Sequence, residues 1–264
     1  MKLWVLMENT SCRDDLVCEH GLSLYIEAGG QRILFDAGQT GAFADNAEKM
    51  GIDLSKVDLC VLSHGHYDHG GGLQRFLEIN DHAPVYVSRH AFGDYYSSPE
   101  KYIGLNWELL SSDRVLFVGD NRTLSDALSL HSCPGYPEPC PSYSKGLTVL
   151  RGGEHVPDDF RHEQYLLIRE GERRILLSGC SHRGVMNIKT WFAPDVFIGG
   201  FHFMKLDPAD SHDRVKLRAA ASSLLQKDTV YYTGHCTGEA QYAVLKELMG
   251  DRLHALSTGA HFEV

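Results

Sequence analysis

Short runs rich in Val, Ile, Leu, Tyr and Phe, either alternating with polar residues or continuous, recur along the whole chain. They predict strands at 3–7, 22–27, 32–36, 59–63, 85–88, 115–118, 128–131, 164–169, 174–178, 196–198, 230–233 and 253–257. Gly29-Gly30 and Gly171 fall in the gaps of two closely spaced pairs and predict hairpin turns. The period changes to that of a helix at 213–226 and 238–249, where Ala240, Ala243, Val244, Leu245 and Leu248 recur on one face. Weaker helical patterns occupy 41–50, 71–78 and 185–191.

The first half thus opens with a β-meander, and the second repeats strand, loop and helix. An α/β fold follows, with two sheets packed face to face and helices outside, a four-layer αββα sandwich. The pattern reads as one domain over 1–264. Two segments interrupt it, 91–112 and the Pro-rich 133–144, which carry Tyr95, Tyr96, Tyr102, Trp107, Tyr136 and Tyr143. Long irregular segments in a compact domain suit lids or binding loops. Leu59-Cys60-Val61-Leu62-Ser63-His64 is faintly echoed by Ile175-Leu176-Leu177-Ser178-Gly179-Cys180. Each is an apolar strand that runs into a polar loop and then a helix, so two such halves can face one cleft.

Composition narrows the partners. The chain has 264 residues, 25 Lys+Arg against 35 Asp+Glu and a formal net charge of −10, with no basic tract, which argues against nucleic acid. At 43% hydrophobic and 23% charged it has the make-up of a soluble globular protein. MKLWVLMENT holds only five consecutive apolar residues, too few for a signal-peptide core or a membrane span, so a cytoplasmic protein without a membrane partner is expected. The seven cysteines are odd in number and lack a C-x-x-C pair, so reduced thiols are expected. Fifteen histidines are harder to pass over.

Their spacing gives the reason. His64-Gly65-His66-Tyr67-Asp68-His69 follows an apolar strand and precedes an amphipathic run, placing four metal-ligating side chains within six residues. Residues i and i+2 of an extended turn point the same way, so His64 and His66 can share one ion. Asp68 and His69 open the next helix and can reach a second.

The H-x-H-x-D-H pattern, with Leu34-Phe35-Asp36-Ala37-Gly38 before it, resembles the metallo-β-lactamase superfamily over nearly the whole chain. Ser178-Gly179-Cys180-Ser181-His182-Arg183-Gly184, Gly199-Gly200-Phe201-His202 and Gly234-His235-Cys236-Thr237-Gly238 resemble one branch of it. That branch includes the archaeal dihydropterin ribofuranosylaminobenzene-phosphate synthases of methanopterin biosynthesis. The resemblance implies an αββα sandwich with a dinuclear metal site at the sheet edge, and an Asp36 that orients the loop without ligating. It implies two divalent ions, with zinc preferred and iron, manganese and nickel also suited to the donors.

On that basis His64, His66 and His182 hold the first ion, with His162 the rival third ligand in a charged, exposed loop. Asp68, His69 and His235 hold the second. Cys180 falls where a bridging Asp usually sits and is a candidate metal contact, a nearby nucleophile or an inert thiol. His202 is a candidate substrate contact. The histidines at 20, 82, 90, 131, 155, 212, 254 and 261 read as surface or packing residues, and the Asp207, Asp210, Asp213 series as a solvated helix start.

Two divalent cations activate water at neutral pH, so the expected function is hydrolysis of a small ester, thioester or phosphate substrate. Asp68 would orient or accept the water proton, while His202 or a lid tyrosine stabilises developing charge. The net charge does not exclude an anionic substrate, because the cations set the local field. The branch resemblance carries an alternative, a dihydropterin pyrophosphate-dependent transferase. A non-catalytic metal-binding or sensor protein is a third reading. The diiron relatives place Glu where this chain has His66, a substitution that is absent here.

Overall fold

The strands of the computed structural model, which describes residues 1–264, alternate strictly between two kinds of neighbour, and that alternation builds the layers. One seven-stranded sheet runs His261–Glu263, Lys2–Met7, Ser23–Ala28, Gln31–Phe35, Leu59–Val61, Val85–Ser88, Val115–Val118. The other runs Leu253–Ala255, Val230–Thr233, Val196–Ile198, Arg173–Leu177, Tyr165–Glu170, Leu128–His131, Asn121–Thr123. Ile33, Phe35, Leu59 and Val61 of the first sheet pack against Leu166, Ile175, Leu177 and Ile198 of the second in the layer between them. The intervening Leu34, Cys60 and Leu62 face outward against Phe43, Ala47, Leu73 and Phe76 of the helices Ala42–Lys49 and Leu73–Ile79. On the far side Leu176 and Phe197 meet the helices Val185–Phe192, Ser211–Leu224 and Glu239–Met249. The result is the expected αββα sandwich.

Topology decides where a site can form. Gln31–Phe35, Leu59–Val61 and Val85–Ser88 run parallel in the first sheet, and Arg173–Leu177, Val196–Ile198 and Val230–Thr233 run parallel in the second. Parallel strands end at one edge, and the loops leaving their carboxyl ends gather there. Those loops carry Asp36, His64, Cys180, His202 and His235.

The hairpin at Gly29-Gly30 forms as expected, with φ of 58° and 75° that suit a two-residue turn between twisted strands. Elsewhere the structure corrects the expectation. A separate four-stranded sheet, Glu154–Pro157, Thr148–Arg151, Tyr95–Ser98, Lys101–Tyr102, occupies part of the segment expected to be irregular at 91–112. These strands are short and largely exposed, and only Tyr95, Ile103 and Val149 form a buried cluster, so their hydrophobic signal is weak. Residues 133–144 do lack strands and helices. They are fastened to the helix Val185–Phe192, with Asn187 bonding both the N–H and C=O of Cys140 at 2.9 Å.

The aspartates before the helix Ser211–Leu224 act as anticipated, Asp210 accepting from the His212 and Asp213 N–H groups at 2.9 Å. All seven cysteines are free thiols. No helix is long and apolar enough to cross a membrane.

Because Leu166 is fully buried between the sheets, Leu166→Ala is expected to lower the unfolding free energy by about 2–5 kcal/mol. Val215 is 65% exposed, and Val215→Ala should change it by no more than about 0.5 kcal/mol. Denaturant titration checks both; equal losses would contradict the layer assignment.

Candidate metal centre

The site begins at a carboxylate. Asp36 ends its strand at φ 60°, fully buried, and accepts from the Ser63 N–H at 2.7 Å, the Ser63 hydroxyl at 2.7 Å and the His69 ring at 2.6 Å. Positive φ is uncommon for a non-glycine residue, although Asp tolerates it better than most. With its hydroxyl hydrogen committed to Asp36, Ser63 Oγ accepts from His64 Nδ1 at 2.9 Å. Both rings therefore carry their hydrogen on Nδ1 and turn Nε2 toward the cleft.

The second sheet supplies matching pieces. His235 follows its strand at φ 49°, its Nδ1 lies 2.9 Å from Asn9 Oδ1, and its backbone N–H donates to buried Glu8. Glu163, also buried, accepts from the His182 N–H at 2.7 Å, and His182 Nδ1 lies 3.1 Å from Ser144 Oγ. Gly179 and Gly199 make this convergence feasible: a Cβ at Gly179 would stand 2.1 Å from Ser63 Oγ, and one at Gly199, where φ is 140°, would stand 1.7 Å from the Ser178 carbonyl oxygen.

The free ring nitrogens then crowd together. His64 Nε2 is 3.3 Å from His182 Nε2, and His69 Nε2 is 3.1 Å from His235 Nε2 and 3.2 Å from Cys180 Sγ. Asp68 Oδ2 lies 3.3 Å from His235 Nε2 and 3.9 Å from His69 Nε2. The donor atoms of His64, His66 and His182 all lie within 4.8 Å of one another. His66 Nε2 and His202 Nδ1 are buried without any hydrogen-bond partner, which is costly unless something else binds there. The backbone is strained at the same place, since Ser181 and His202 also have positive φ, 55° and 56°.

Charge favours cations. Burial pushes His64 and His182 well below the ordinary imidazole range, His66 down to about 3, and His202 and His235 down to about 4, so all five stay neutral at pH 7. Burial opposes the charge on Asp68, but His69, His20 and His235 outweigh it and hold the carboxyl well below its usual range. Burial would likewise lower His69, yet Asp36 and Asp68 keep it raised. Burial, with Cys236 beside it, pushes the Cys180 thiol well up. Facing imidazole lone pairs about 3 Å apart call for a cation between them. In the metal-free chain a proton on His69 serves one pair, whereas His64 and His182 have none. The donors, with the rings of His64, His69, His182 and His235 held from behind at Nδ1, fit divalent metal ions of the zinc class.

Sequence reasoning misplaced three residues. His162, expected in an exposed loop, is fully buried, and both its ring nitrogens are used: Nδ1 accepts from the Gly65 N–H at 3.0 Å and Nε2 meets buried Asp158 at 3.0 Å. His20, read as a surface or packing residue, lines the cleft with Nε2 3.4 Å from Asp68 Oδ2. Cys236, which had no expected role beside Cys180, lies against it in the cleft. His20 has no motif around it, and a contact across 48 residues of chain leaves no local signal; Cys236, adjacent to His235, could have been noticed.

The cleft over these groups is also lined by Tyr67, Ser97, Lys101, Ile103, His202 and Lys205. Tyr67 is the tyrosine among the lining residues, while Tyr95 of the 91–112 segment packs edge-on against the His66 ring, with ring centroids 5.7 Å apart.

Comparison with known proteins agrees with this fold. Residues 16–105 match the family described as the metallo-beta-lactamase superfamily. It is 28% identical to the uncharacterized protein MJ0448 of Methanocaldococcus jannaschii, covering 92% of this chain and 93% of the relative. It is 29% identical to the 7,8-dihydropterin-6-methyl-4-(beta-D-ribofuranosyl)-aminobenzene-5'-phosphate synthase of the same organism, covering 90% and 88%. Among solved structures it is similar to Tm1679, a metal-dependent hydrolase of the beta-lactamase superfamily, with a TM-score of 0.79, 29% identity and coverage of 100% and 99%.

Two outcomes follow. Asn tolerates positive φ but cannot accept all three bonds at this position, so Asp36→Asn should keep the fold by circular dichroism while weakening zinc affinity about 10–100-fold in calorimetric titration. His66, His202 and His235 have values of about 3, 4 and 4 against 6.5 for a free ring. Between those values the unfolded chain binds protons that the folded chain refuses, so each favours folding above pH 6.5 and loses that contribution as pH falls toward 4. The raised His69 acts in the opposite sense. The metal-free protein should therefore melt at a lower temperature at pH 5 than at pH 7.5; an equal or higher value would contradict the buried neutral rings.

Proposed function

We propose that this protein is a metal-dependent hydrolase that uses a dinuclear centre on a small ester, thioester or phosphate substrate. The observation that carries the reading is the convergence of His64, His69, His182 and His235 through Nε2, each with Nδ1 held by a partner behind it. His64, His66 and His182 hold the first ion; Asp68, His69 and His235 hold the second, and Cys180 lies where it can reach both. His162 has no free nitrogen for a metal and instead fixes the Gly65 backbone of the loop.

When bound, a pair of divalent cations supplies an acidified water and polarises the carbonyl or phosphoryl oxygen under attack. Asp68, ionised and 13% exposed, would orient that water and accept its proton. His202, neutral and with its Nδ1 unpartnered, would donate from that atom, as the Nδ1–H tautomer, to the oxygen on which charge develops. Lys101 and Lys205 line the same cleft, and Asp68 is the only carboxylate among the lining residues. That lining suits a small anionic substrate, in a cytoplasmic setting and without nucleic acid or membrane as partner.

The 29% identity to a dihydropterin-containing phosphate synthase along most of both chains favours a second reading, transfer from a dihydropterin pyrophosphate to an aminobenzene acceptor. There the same residues would assist pyrophosphate departure.

Mass-spectrometric metal analysis of protein loaded with zinc should find two ions per chain, one after His182→Ala and still two after His162→Ala. Loss of an ion only in His162→Ala would overturn the ligand assignment. Incubation with esters, thioesters and phosphate esters, and separately with a dihydropterin pyrophosphate and an aminobenzene acceptor, separates the two reactions by product. Coupled product without hydrolysis would replace the hydrolase reading by the transferase one.

A further inference from the structure

We propose that Cys236 is a metal-binding thiol of the second subsite, which makes that subsite a two-sulfur site formed with Cys180 and His235. The inference rests on the metal-centre reading above and adds a ligand to it. The donor atoms of Cys180, His235 and Cys236 lie within 4.8 Å of one another, and all three side chains are buried at the cleft floor, with 2%, 3% and 2% exposure. Metal–nitrogen bonds of about 2.0–2.1 Å and metal–sulfur bonds of about 2.3 Å put neighbouring ligands of a tetrahedral ion about 3.3–3.8 Å apart. A cluster of this width closes on one ion with small side-chain rotations.

The fold brings the sulfur there at some cost. His235–Thr237 form a tight turn that starts at φ 49°, and this turn directs the side chains of His235 and Cys236 into the same cleft. Across from it Gly200 is required, because a Cβ there would stand 2.3 Å from Cys236 Sγ. The thiol's hydrogen-bond partner is the Cys180 carbonyl oxygen at 3.4 Å, a weak use of a buried polar group. Cys60, by contrast, lies wholly within the apolar layer outside the first sheet, as an inert core thiol does.

On binding, each thiol forms a sulfur–metal bond and releases its proton to solvent, with no change in oxidation state. Two thiolates favour soft or borderline cations, zinc or cadmium, over magnesium or manganese. The second subsite should thus discriminate among metals more strongly than the all-histidine first one.

Cobalt(II) titration of the whole protein, read by sulfur-to-cobalt charge-transfer absorption, tests this without reference to turnover. Cys236→Ser and Cys180→Ser are each expected to remove about half of the band and the double variant all of it, since each thiolate contributes separately. Cys133→Ser, at a buried cysteine outside the cleft, should leave the band intact. Should Cys236→Ser fail to fold, X-ray absorption of the zinc-loaded wild-type protein decides, with two sulfurs per chain expected. A full band in Cys236→Ser, or a single sulfur per chain, overturns the proposal while leaving the metal centre standing. Protein that binds no cobalt or zinc overturns both.

Discussion

A buried carboxylate without water must find its hydrogen bonds in the protein, and at Asp36 that requirement organises the first half of the site. Its two oxygens take the Ser63 N–H, the Ser63 hydroxyl and the His69 ring. Those three bonds pin the start of the H-x-H-x-D-H loop to the end of the neighbouring strand and fix the tautomer of His69 directly and of His64 through Ser63. An isolated charge of this kind would be expensive in the core. Here its bonds hold two imidazoles with their lone pairs aimed inward, the arrangement in which a positive ion is the natural complement.

The loops of the second sheet are held by two further buried carboxylates. Glu163 holds the backbone at His182 and Arg183, and Glu8, reaching across from the first sheet, holds the backbone at His235. The two halves are stitched together where Gln164 donates its side-chain amide to the Leu62 carbonyl at 2.7 Å and its N–H to the Ser63 carbonyl at 2.8 Å. The αββα core thus fixes how far apart the two loop clusters lie, and the buried acids fix how each ring points within them. The proposed function depends on the packing of Ile33, Phe35, Leu166 and Leu177 as much as on the candidate ligands themselves, since a shift between sheets would separate His64 from His182.

Much of this was readable from the chain because its signals are local. The continuous apolar run Leu59–Leu62 and the density of His64 to His69 lie within a dozen residues, and together they point to a strand that runs into a metal-binding loop. The layers followed from helical patterns such as that of Glu239–Met249. What escaped depends on contacts distant in sequence. His20 reaches Asp68 only because the loop before Ser23–Ala28 folds over the cleft, and His162 looks exposed beside Asp158, Asp159 and Arg161 although the fold buries it against Gly65. The small sheet of Tyr95–Ser98 and Thr148–Arg151 is made of polar, half-exposed strands whose pairing, not their hydrophobicity, defines them.

Anomalous X-ray scattering from crystals of the zinc-loaded protein, collected at the zinc edge, tests the central claim most directly. The account predicts two peaks per chain, one among His64, His66 and His182 and the other among Asp68, His69 and His235. A chain with no peak in this cleft, or with its zinc held between His162 and Asp158 instead, would contradict it.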